Sequence, residues 1–123
     1  MSNLPIYEVL AQAFASEGVD TLFNLMGDGN MHWATAMSQI DGMKVFHARH
    51  EHCACGMAMG YYSATGKTGV ASVTCGPGVT QISTILSTAT RAYVLERILK
   101  HGNDVRVSSD EAADVLSFIE SLP

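Results

Sequence analysis

The sequence predicts an α/β fold: a three-layer α/β/α arrangement around a short parallel sheet, with further helices at the C-terminus. Between Ile6 and Thr74, short β-branched runs alternate with stretches whose apolar residues recur at helical spacing. Glycine-rich turns follow the runs TLFNL and GVASVT, as is typical where a strand leads into a helix. Strands that alternate with helices need right-handed crossovers, so we expect them to pair in parallel.

The chain opens with a helix that a glycine, Gly18, can end. Its apolar residues at helical spacing are Ile6, Val9, Leu10, Ala13 and Phe14. Residues 21–25 (TLFNL) form the first predicted strand, MGDGN breaks the chain, and residues 31–39 return to a helical pattern. This strand, turn and helix form the first unit of the predicted sheet.

The same order then repeats. Residues 44–47 read as a short strand, residues 51–65 as a helix rich in Ala, Gly and Met, and residues 69–74 as a buried strand. The turn CGPG leads into another helix from Val79 onward. Because parallel strands end at the same edge of a sheet, we expect the three turns to line one rim.

The last part of the chain differs in composition. Residues 1–92 contain 10 charged residues, whereas residues 93–123 contain 9. Residues 93–101 continue the preceding helix, Gly102 can cap it, and Ser108 with Glu111 forms a capping box for a last helix. That helix covers residues 109–122, and its apolar residues are Val115, Leu116, Phe118 and Ile119. We therefore expect a globular part over residues 1–92 and a helical tail over 93–123.

Composition excludes several classes of protein. The 123 residues are 47% hydrophobic and 15% charged, which indicates a folded, core-rich chain. A net charge of -5 without a basic cluster argues against nucleic acid or an anionic membrane as a partner. The sequence has no apolar run of spanning length and no export signal, so we expect a cytoplasmic protein. Its three cysteines fit reduced thiols.

The segment HARHEHCAC suggests a metal or nucleophile site at first sight. On a helix that begins at Glu51, His52, Cys53 and Cys55 point in different directions, whereas ligands on one helix must be three or four residues apart to converge. We therefore expect no metal site here. A catalytic cysteine beside a histidine remains an alternative, but small cysteines in such a helix are more often packing residues, so we expect Cys53 and Cys55 to be core thiols.

Glu51 is the more informative residue of that segment. It lies at a strand-to-helix turn on the edge of the sheet where open α/β folds place their ligands. A carboxylate in the first turn of a helix can also simply stabilise the helix dipole, and its position alone favours that interpretation. MGDGN matches neither of the common nucleotide-binding patterns, so its glycines indicate a tight turn more than a phosphate site.

Three blocks in order resemble a known family: GVDTLFNLMGDGN, RHEHCACGMAMGYYSATGK and GVASVTCGPGVTQISTILSTATRA. They are similar to the N-terminal pyrimidine-binding domain of thiamine diphosphate (TPP) enzymes of the acetolactate synthase type, over about residues 4 to 92. The middle block follows the family pattern RHExxAxxMAxGYAxxTGK without a gap. The matching residues are Arg49, His50, Glu51, Ala54, Met57, Ala58, Gly60, Tyr61, Thr65, Gly66 and Lys67.

The resemblance implies a partial thiamine diphosphate-binding fold and a catalytic role for Glu51. In the family this carboxylate hydrogen-bonds a ring nitrogen of the cofactor's aminopyrimidine, which helps to remove the proton from the thiazolium carbon. The turns after the first and third strands match the loops that approach cofactor and substrate, although their glycines can also serve only the turns. The implied cofactor-binding residues are Met26, Gly27, Asp28, Thr74, Gly76, Pro77, Gly78 and Gln81.

This sequence departs from the family at several positions. The family commonly has proline at Met26, an acid at Met59, arginine at Ser63 and asparagine at Gln81, which leaves the substrate and the contact of Gln81 open. The GDG of MGDGN is not the family's metal and diphosphate motif, which belongs to another domain. We therefore expect no metal ligand in this chain and expect magnesium to be held by a domain that the chain lacks.

The match ends near Ala92, where family members continue into a further strand. The leading hypothesis is a binding module of a 2-keto acid decarboxylase or carboligase that is inactive alone, whose partner is the diphosphate-binding domain of another chain in a homo- or hetero-oligomer. The alternative is a non-catalytic interaction protein that pairs with a full-length relative. Either would leave apolar surface on a small sheet, which predicts self-association.

Overall fold

The computed structural model describes residues 4–101, and their side chains up to Ala92. The elements in chain order are α1 (Ile6–Ser16), β1 (Thr21–Asn24), α2 (Met31–Ser38), β2 (Lys44–His47), α3 (Glu51–Thr65), β3 (Val70–Ser72), α4 (Pro77–Gln81) and α5 (Ser83–His101). The chain divides into two compact units, Met1–Ala89 and Thr90–Pro123. Of the second unit, residues 90–101 are described, and they form the C-terminal part of α5. The predicted Gly102 cap and the predicted helix over residues 109–122 lie outside the described residues.

The described strands form one parallel sheet in the order β2-β1-β3, which confirms the α/β class. Leu22 of β1 pairs with Val45 of β2 and Val70 of β3, and Phe23 lies in the next row. Since successive side chains point to opposite faces of a strand, the Leu22 row and the Phe23 row face different layers. β2 matches its predicted range, whereas β1 and β3 end before the predicted Leu25 and Thr74.

The two faces of the sheet carry separate hydrophobic clusters. On the Leu22 face, buried residues of α1 and α2 pack on the sheet, namely Ala11, Ala34, Ala36 and Met37, together with Val19. On the opposite face, Ala54 and Ala58 of α3 pack against Phe23. Helices on both faces of one sheet make the three-layer arrangement that the sequence predicts.

The buried face of α1 differs from the predicted one. The helix lies where expected, but Ile6 is 85% exposed, and Val9 and Leu10 are also exposed. The residues that face the core are Tyr7, Ala11 and Phe14. Aromatic contacts with α2 explain why the face of α1 with Tyr7 and Phe14 is the buried one. Tyr7 stacks on His32 with ring centroids 5.5 Å apart, and Phe14 contacts Trp33 edge-on with centroids 5.3 Å apart.

The expectation that both helix cysteines are core thiols is wrong for Cys53, which is exposed. Cys55 is half-buried, and burial raises the pKa of its thiol. The reason is the register of α3: Ala54 and Ala58, four residues apart, fill the line that faces Phe23. The neighbouring Cys53 is thereby turned to the surface. No helix among residues 4–101 is both long and apolar enough to cross a membrane.

Candidate functional site

Three turns meet at the carboxyl edge of the sheet, where β1, β2 and β3 end. We call this edge the rim and define it as residues 25–30, 48–51 and 73–78. Each turn follows one parallel strand and precedes a helix, so all three open on the same side. The predicted rim is therefore present, and the question is which side chains it brings together.

The first turn is closed by Asn30, the residue before α2. The backbone N–H groups of Asn30 and Met31 donate to the Gly27 carbonyl at 3.1 and 3.0 Å. In return, the Gly27 N–H donates to Oδ1 of Asn30 at 2.8 Å. Gly27 is thus bonded through both of its backbone polar groups, which fixes the turn against the start of α2.

The same asparagine side chain ties the turn to two strands. Its Nδ2 donates to Asn24 Oδ1 and to the Leu25 carbonyl, both at 3.1 Å, and to Ser72 Oγ at 2.8 Å. Asn24, Asn30 and Ser72 are all buried, and Nδ2 of Asn24 has no hydrogen-bond partner among the described residues. A polar cluster therefore lies beneath the rim, at the ends of β1 and β3.

Thr74 joins the first turn to the third. A Cβ atom on Gly27 would lie 2.7 Å from both Cβ and Oγ1 of Thr74, a distance that only glycine avoids. The Gly29 N–H also donates to Thr74 Oγ1, at 3.3 Å. The first turn thus packs directly on the Thr74 side chain.

The third turn depends on the backbone of Gly76. Gly76 has φ 66° and ψ −123°, a conformation that side-chain-bearing residues rarely adopt. It directs the chain into α4, where Pro77 stands in the first turn. Gly78 follows and is buried, and the position of a Cβ there would be 3.3 Å from Cγ2 of Thr74.

Glu51 reaches the same place from the second turn. It is the first residue of α3, after His50, whose extended backbone and ring Nδ1 cap the helix by accepting the His52 N–H at 3.2 Å. Its Oε1 lies 3.5 Å from the Cβ position of Gly78. The carboxylate is therefore aimed at the third turn.

The Glu51 carboxylate is shielded but has free lone pairs. Its side chain is 16% exposed, and its Oε2 lies 4.0 Å from His50 Nδ1. Among residues 4–92, whose side chains the structure describes, none donates a hydrogen bond to it. A carboxylate in this position can accept a hydrogen bond from a molecule bound at the rim.

The rim brings some of the predicted residues together and leaves others apart. Glu51, Gly27, Thr74 and Gly78 form one contact chain. Another five are exposed: Met26, Asp28, Gly76, Pro77 and Gln81. Within the described part of the chain, the side chains of Asp28 and Gln81 have no hydrogen-bond or ion-pair partner, so both are free to meet a ligand or another chain.

The histidine and cysteine segment does not assemble into a metal centre. The rings of His50 and His52 meet edge to face with centroids 5.0 Å apart, and Cys53 lies on the surface. Among the side chains that the structure describes, those of residues 4–92, no three of His, Cys, Asp or Glu are grouped closely enough to hold a metal ion.

The motif residues Tyr61 and Lys67 contact Asp20 at the opposite edge of the sheet. Lys67 Nζ lies 2.7 Å from Asp20 Oδ2, and the Tyr61 hydroxyl donates to Oδ1 at 2.6 Å. These bonds, led by that of Lys67, hold the pKa of Asp20 well below its ordinary value. The cluster joins the end of α3 to the start of β1, so these two residues have a structural role far from the rim.

Sequence reasoning missed the buried polar cluster. Asn24 directly follows the apolar pair Leu22 and Phe23 in the strand TLFN, and Asn30 follows a glycine turn. A polar residue at the end of a buried strand is the signal that could have found it, because a buried amide must have partners nearby.

Comparison with known proteins identifies related sequences. The family model described as the N-terminal TPP binding domain of thiamine pyrophosphate enzymes matches residues 5–95. The chain is 36% identical over 89 residues to the acetolactate synthase large subunit of Haemophilus influenzae, which covers 72% of this chain and 16% of that protein. It is 39% identical over 80 residues to the acetolactate synthase isozyme 2 large subunit of Escherichia coli K12, covering 65% of this chain and 14% of the relative.

A third relative has a different name. The chain is 37% identical over 84 residues to the probable 2-ketoarginine decarboxylase AruI of Pseudomonas aeruginosa, covering 67% of this chain and 14% of that protein. The chain therefore spans only about one seventh of the length of each of these relatives. Residues 5–95, the part that the family model matches, contain all three turns of the rim.

Proposed function

The chain belongs to the thiamine pyrophosphate enzyme family, whose N-terminal TPP binding domain it matches, and from this premise we propose that its rim binds the aminopyrimidine half of thiamine diphosphate. Glu51 is the catalytic residue of this proposal, since its carboxylate would accept a hydrogen bond from the ring. The observation that carries it is a shielded carboxylate at the rim to which no described residue donates a hydrogen bond.

The shape of the rim suits such a ligand. A hydrogen atom in place of a side chain at Gly78 leaves space beside Oε1 of Glu51, and any larger residue would fill that space. Thr74 forms the adjoining wall and is itself held by the first turn. We assign the cofactor contacts to Gly27, Thr74 and Gly78, and assign the exposed Met26, Asp28, Gly76, Pro77 and Gln81 to the border shared by cofactor, substrate and partner.

The chemistry divides between the cofactor and this chain. When bound, thiamine diphosphate supplies a nucleophilic carbon that attacks the carbonyl group of a 2-keto acid. Glu51 would orient the pyrimidine by accepting a hydrogen bond from a ring nitrogen, and a proton shared along that bond changes the basicity of the ring. The relatives include acetolactate synthases and a probable 2-ketoarginine decarboxylase, so we propose carboligation or decarboxylation of a 2-keto acid as the reaction.

Activity would require a second polypeptide. The described residues contain no cluster of three His, Cys, Asp or Glu side chains that could hold a metal ion. We therefore propose that a domain of another chain holds magnesium and the diphosphate. The two chains would form a cytoplasmic homo- or hetero-oligomer. The relatives are about six to seven times as long as the matched segment, which leaves room for that domain.

Turnover in a reconstituted enzyme tests the role of Glu51. The full chain is mixed with an acetolactate synthase large subunit that lacks its own N-terminal domain, with thiamine diphosphate and magnesium. Glu51→Gln should lower the rate by about 10² or more, the usual scale for a residue that promotes proton transfer. Glu17→Gln, the same change on the exposed cap of α1, is the matched control and should leave the rate unchanged. Equal rates for wild type and Glu51→Gln contradict the proposal.

The second candidate, a non-catalytic partner of a full-length relative, has one observation in its favour. An exposed apolar strip lies on α1 and consists of Ile6, Val9 and Leu10. Exposed apolar patches often mark docking surfaces for other proteins. This candidate predicts that the chain binds the relative with or without Glu51→Gln and never raises its rate. Restored turnover that depends on Glu51 excludes it.

A further inference from the structure

The carboxamide of Asn30 connects three segments of the rim. Its Nδ2 bonds Asn24 and Leu25 at the end of β1 and Ser72 at the end of β3, and its Oδ1 accepts the Gly27 N–H of the first turn. An amide has one acceptor and one donor group, and here both are used at distances of 2.8 to 3.1 Å. No other side chain type presents this pair of groups at this length.

Burial makes these bonds hard to replace. Asn30 and Ser72 are nearly buried and Asn24 is fully buried, so water cannot easily take the place of a lost partner. Without the Asn30 amide, Asn24 Oδ1 would lose the bond from Asn30, on a side chain whose Nδ2 already lacks a partner. Loss of the Asn30 amide would therefore free the first turn from its anchor.

The first turn is also connected to the surroundings of Glu51 through Thr74 and Gly78. Gly27 touches Thr74 so closely that a Cβ would be 2.7 Å away, and Thr74 Cγ2 lies 3.3 Å from the Cβ position of Gly78. Gly78 borders Glu51 Oε1 at 3.5 Å, again measured to its Cβ position. A shift of the first turn would pass through Thr74 to Gly78, the residue that bounds the space beside the carboxylate, because close-packed groups transmit displacement.

We propose that Asn30 is a positioning residue of the cofactor site, which holds the first turn on Thr74 and so fixes the space beside the Glu51 carboxylate. This inference rests on the proposed function, since it assigns to that space the pyrimidine of thiamine diphosphate. Asn30 itself would not touch the cofactor. It acts by keeping the rim in its binding-competent arrangement, and the apparent dissociation constant rises as the fraction of competent molecules falls.

The affinity measurement uses the full chain with the reconstituting partner described above. Isothermal titration with thiamine diphosphate and magnesium compares wild type, Asn30→Ala and Tyr61→Phe below their unfolding temperatures. Tyr61→Phe is the matched control, because it removes one hydrogen bond at the opposite edge of the sheet and leaves the ring in place. If the first turn keeps its binding-competent conformation in a tenth of the Asn30→Ala molecules, this variant should bind thiamine diphosphate about tenfold more weakly than wild type. Tyr61→Phe should bind it like wild type.

A second variant covers the case in which Asn30→Ala does not fold. Asn30→Asp keeps an oxygen for the Gly27 N–H, and the unpartnered amide of Asn24 can turn to donate to it. We expect its affinity to be closer to wild type than that of Asn30→Ala. Hydrogen exchange of the Gly27 amide should be fast in Asn30→Ala and slow in wild type, Asn30→Asp and Tyr61→Phe, because only the alanine variant loses its acceptor.

The outcomes separate this inference from the proposed function. If wild type binds thiamine diphosphate and Asn30→Ala binds equally well, or if Tyr61→Phe weakens binding as much, the positioning role is wrong and the proposed function stands. Unchanged exchange of Gly27 in Asn30→Ala also refutes the positioning role. If wild type with its partner does not bind thiamine diphosphate, the proposed function fails and the role of Asn30 fails with it.

Discussion

Single residues at the rim are constrained by backbone geometry as much as by chemistry. Gly76 needs a φ of 66° with a ψ of −123°, and Gly27 has no room for a Cβ beside Thr74. The carboxylate that could act on a ligand, Glu51, is placed by the extended backbone of His50. The site is therefore built from glycines that permit close approach and from one acid that they surround.

Gly76→Ala tests the backbone constraint. The alanine must adopt a conformation that costs about 1–3 kcal/mol for a residue with a side chain, so the free energy of unfolding should fall by that amount. Gly56→Ala is the control: Gly56 lies inside α3 with open space around it, and the change should raise stability by about 0.5–1 kcal/mol. Urea unfolding of both variants measures the two effects, and equal stability of Gly76→Ala and wild type would show that the turn is not strained.

Asp20 gives a prediction about pH. Its pKa is lowered in the folded chain, first by Lys67 and then by Tyr61, so its ionised form stabilises the fold above the ordinary aspartate pKa of 3.8. This contribution is lost as the pH falls below 3.8 towards the folded-state pKa. Asp20→Asn should therefore melt at a lower temperature than wild type at neutral pH, and the difference should shrink in strong acid. Thermal melts between neutral pH and pH 2 check this, with exposed Asp28→Asn as control; a constant difference would contradict it.

Whole elements were predictable from the sequence where local pattern decides them. The helix over residues 51–65 and the strand over residues 44–47 have the predicted bounds, because an N-terminal carboxylate, a terminal glycine and a short run that contains Val45 and Phe46 are local signals. The edge on which Glu51 lies also follows, since parallel strands end together.

Contacts distant in sequence could not be predicted in this way. Asn30 donates a hydrogen bond to Ser72, which is 42 residues away in the sequence, and no local sequence pattern predicts that pair. The buried face of α1 was misjudged because the helix is apolar on more than one side, and aromatic contacts with α2 decide which side is covered. Cys53 was misjudged for a similar reason, as only the register of α3 on Phe23 separates it from Ala54.

At the scale of elements, the contact between the first turn and the third turn can be tested by mutation. Gly27→Ala should cost about 1–3 kcal/mol in unfolding free energy, because its Cβ overlaps Thr74. In a Thr74→Gly background the overlap is gone, so the same change should cost less, with a coupling of about 0.5–3 kcal/mol. A double-mutant cycle by urea unfolding measures the coupling; additive effects would mean that the two turns do not touch.

At the scale of the whole molecule, the proposed function makes the chain one part of a larger catalytic unit. It spans about one seventh of the length of its relatives, and its described residues include the shielded carboxylate of Glu51, which we assign to the pyrimidine, but no acidic cluster that could hold magnesium. A cofactor held at a boundary between two chains would explain why the rim is open and why several predicted contact residues are exposed. The proposed activity is thus a property of an assembly.

The most direct measurement follows the carboxyl carbon of Glu51 by nuclear magnetic resonance. The chain is labelled at glutamate carboxyl carbons, combined with its partner, and titrated with thiamine diphosphate and magnesium; the signal missing from Glu51→Gln identifies the resonance. We expect that resonance to shift as the cofactor binds, because a new hydrogen bond forms at the carboxylate, while the signal of Glu17 stays in place. Binding of the cofactor with no change at Glu51 would contradict the account.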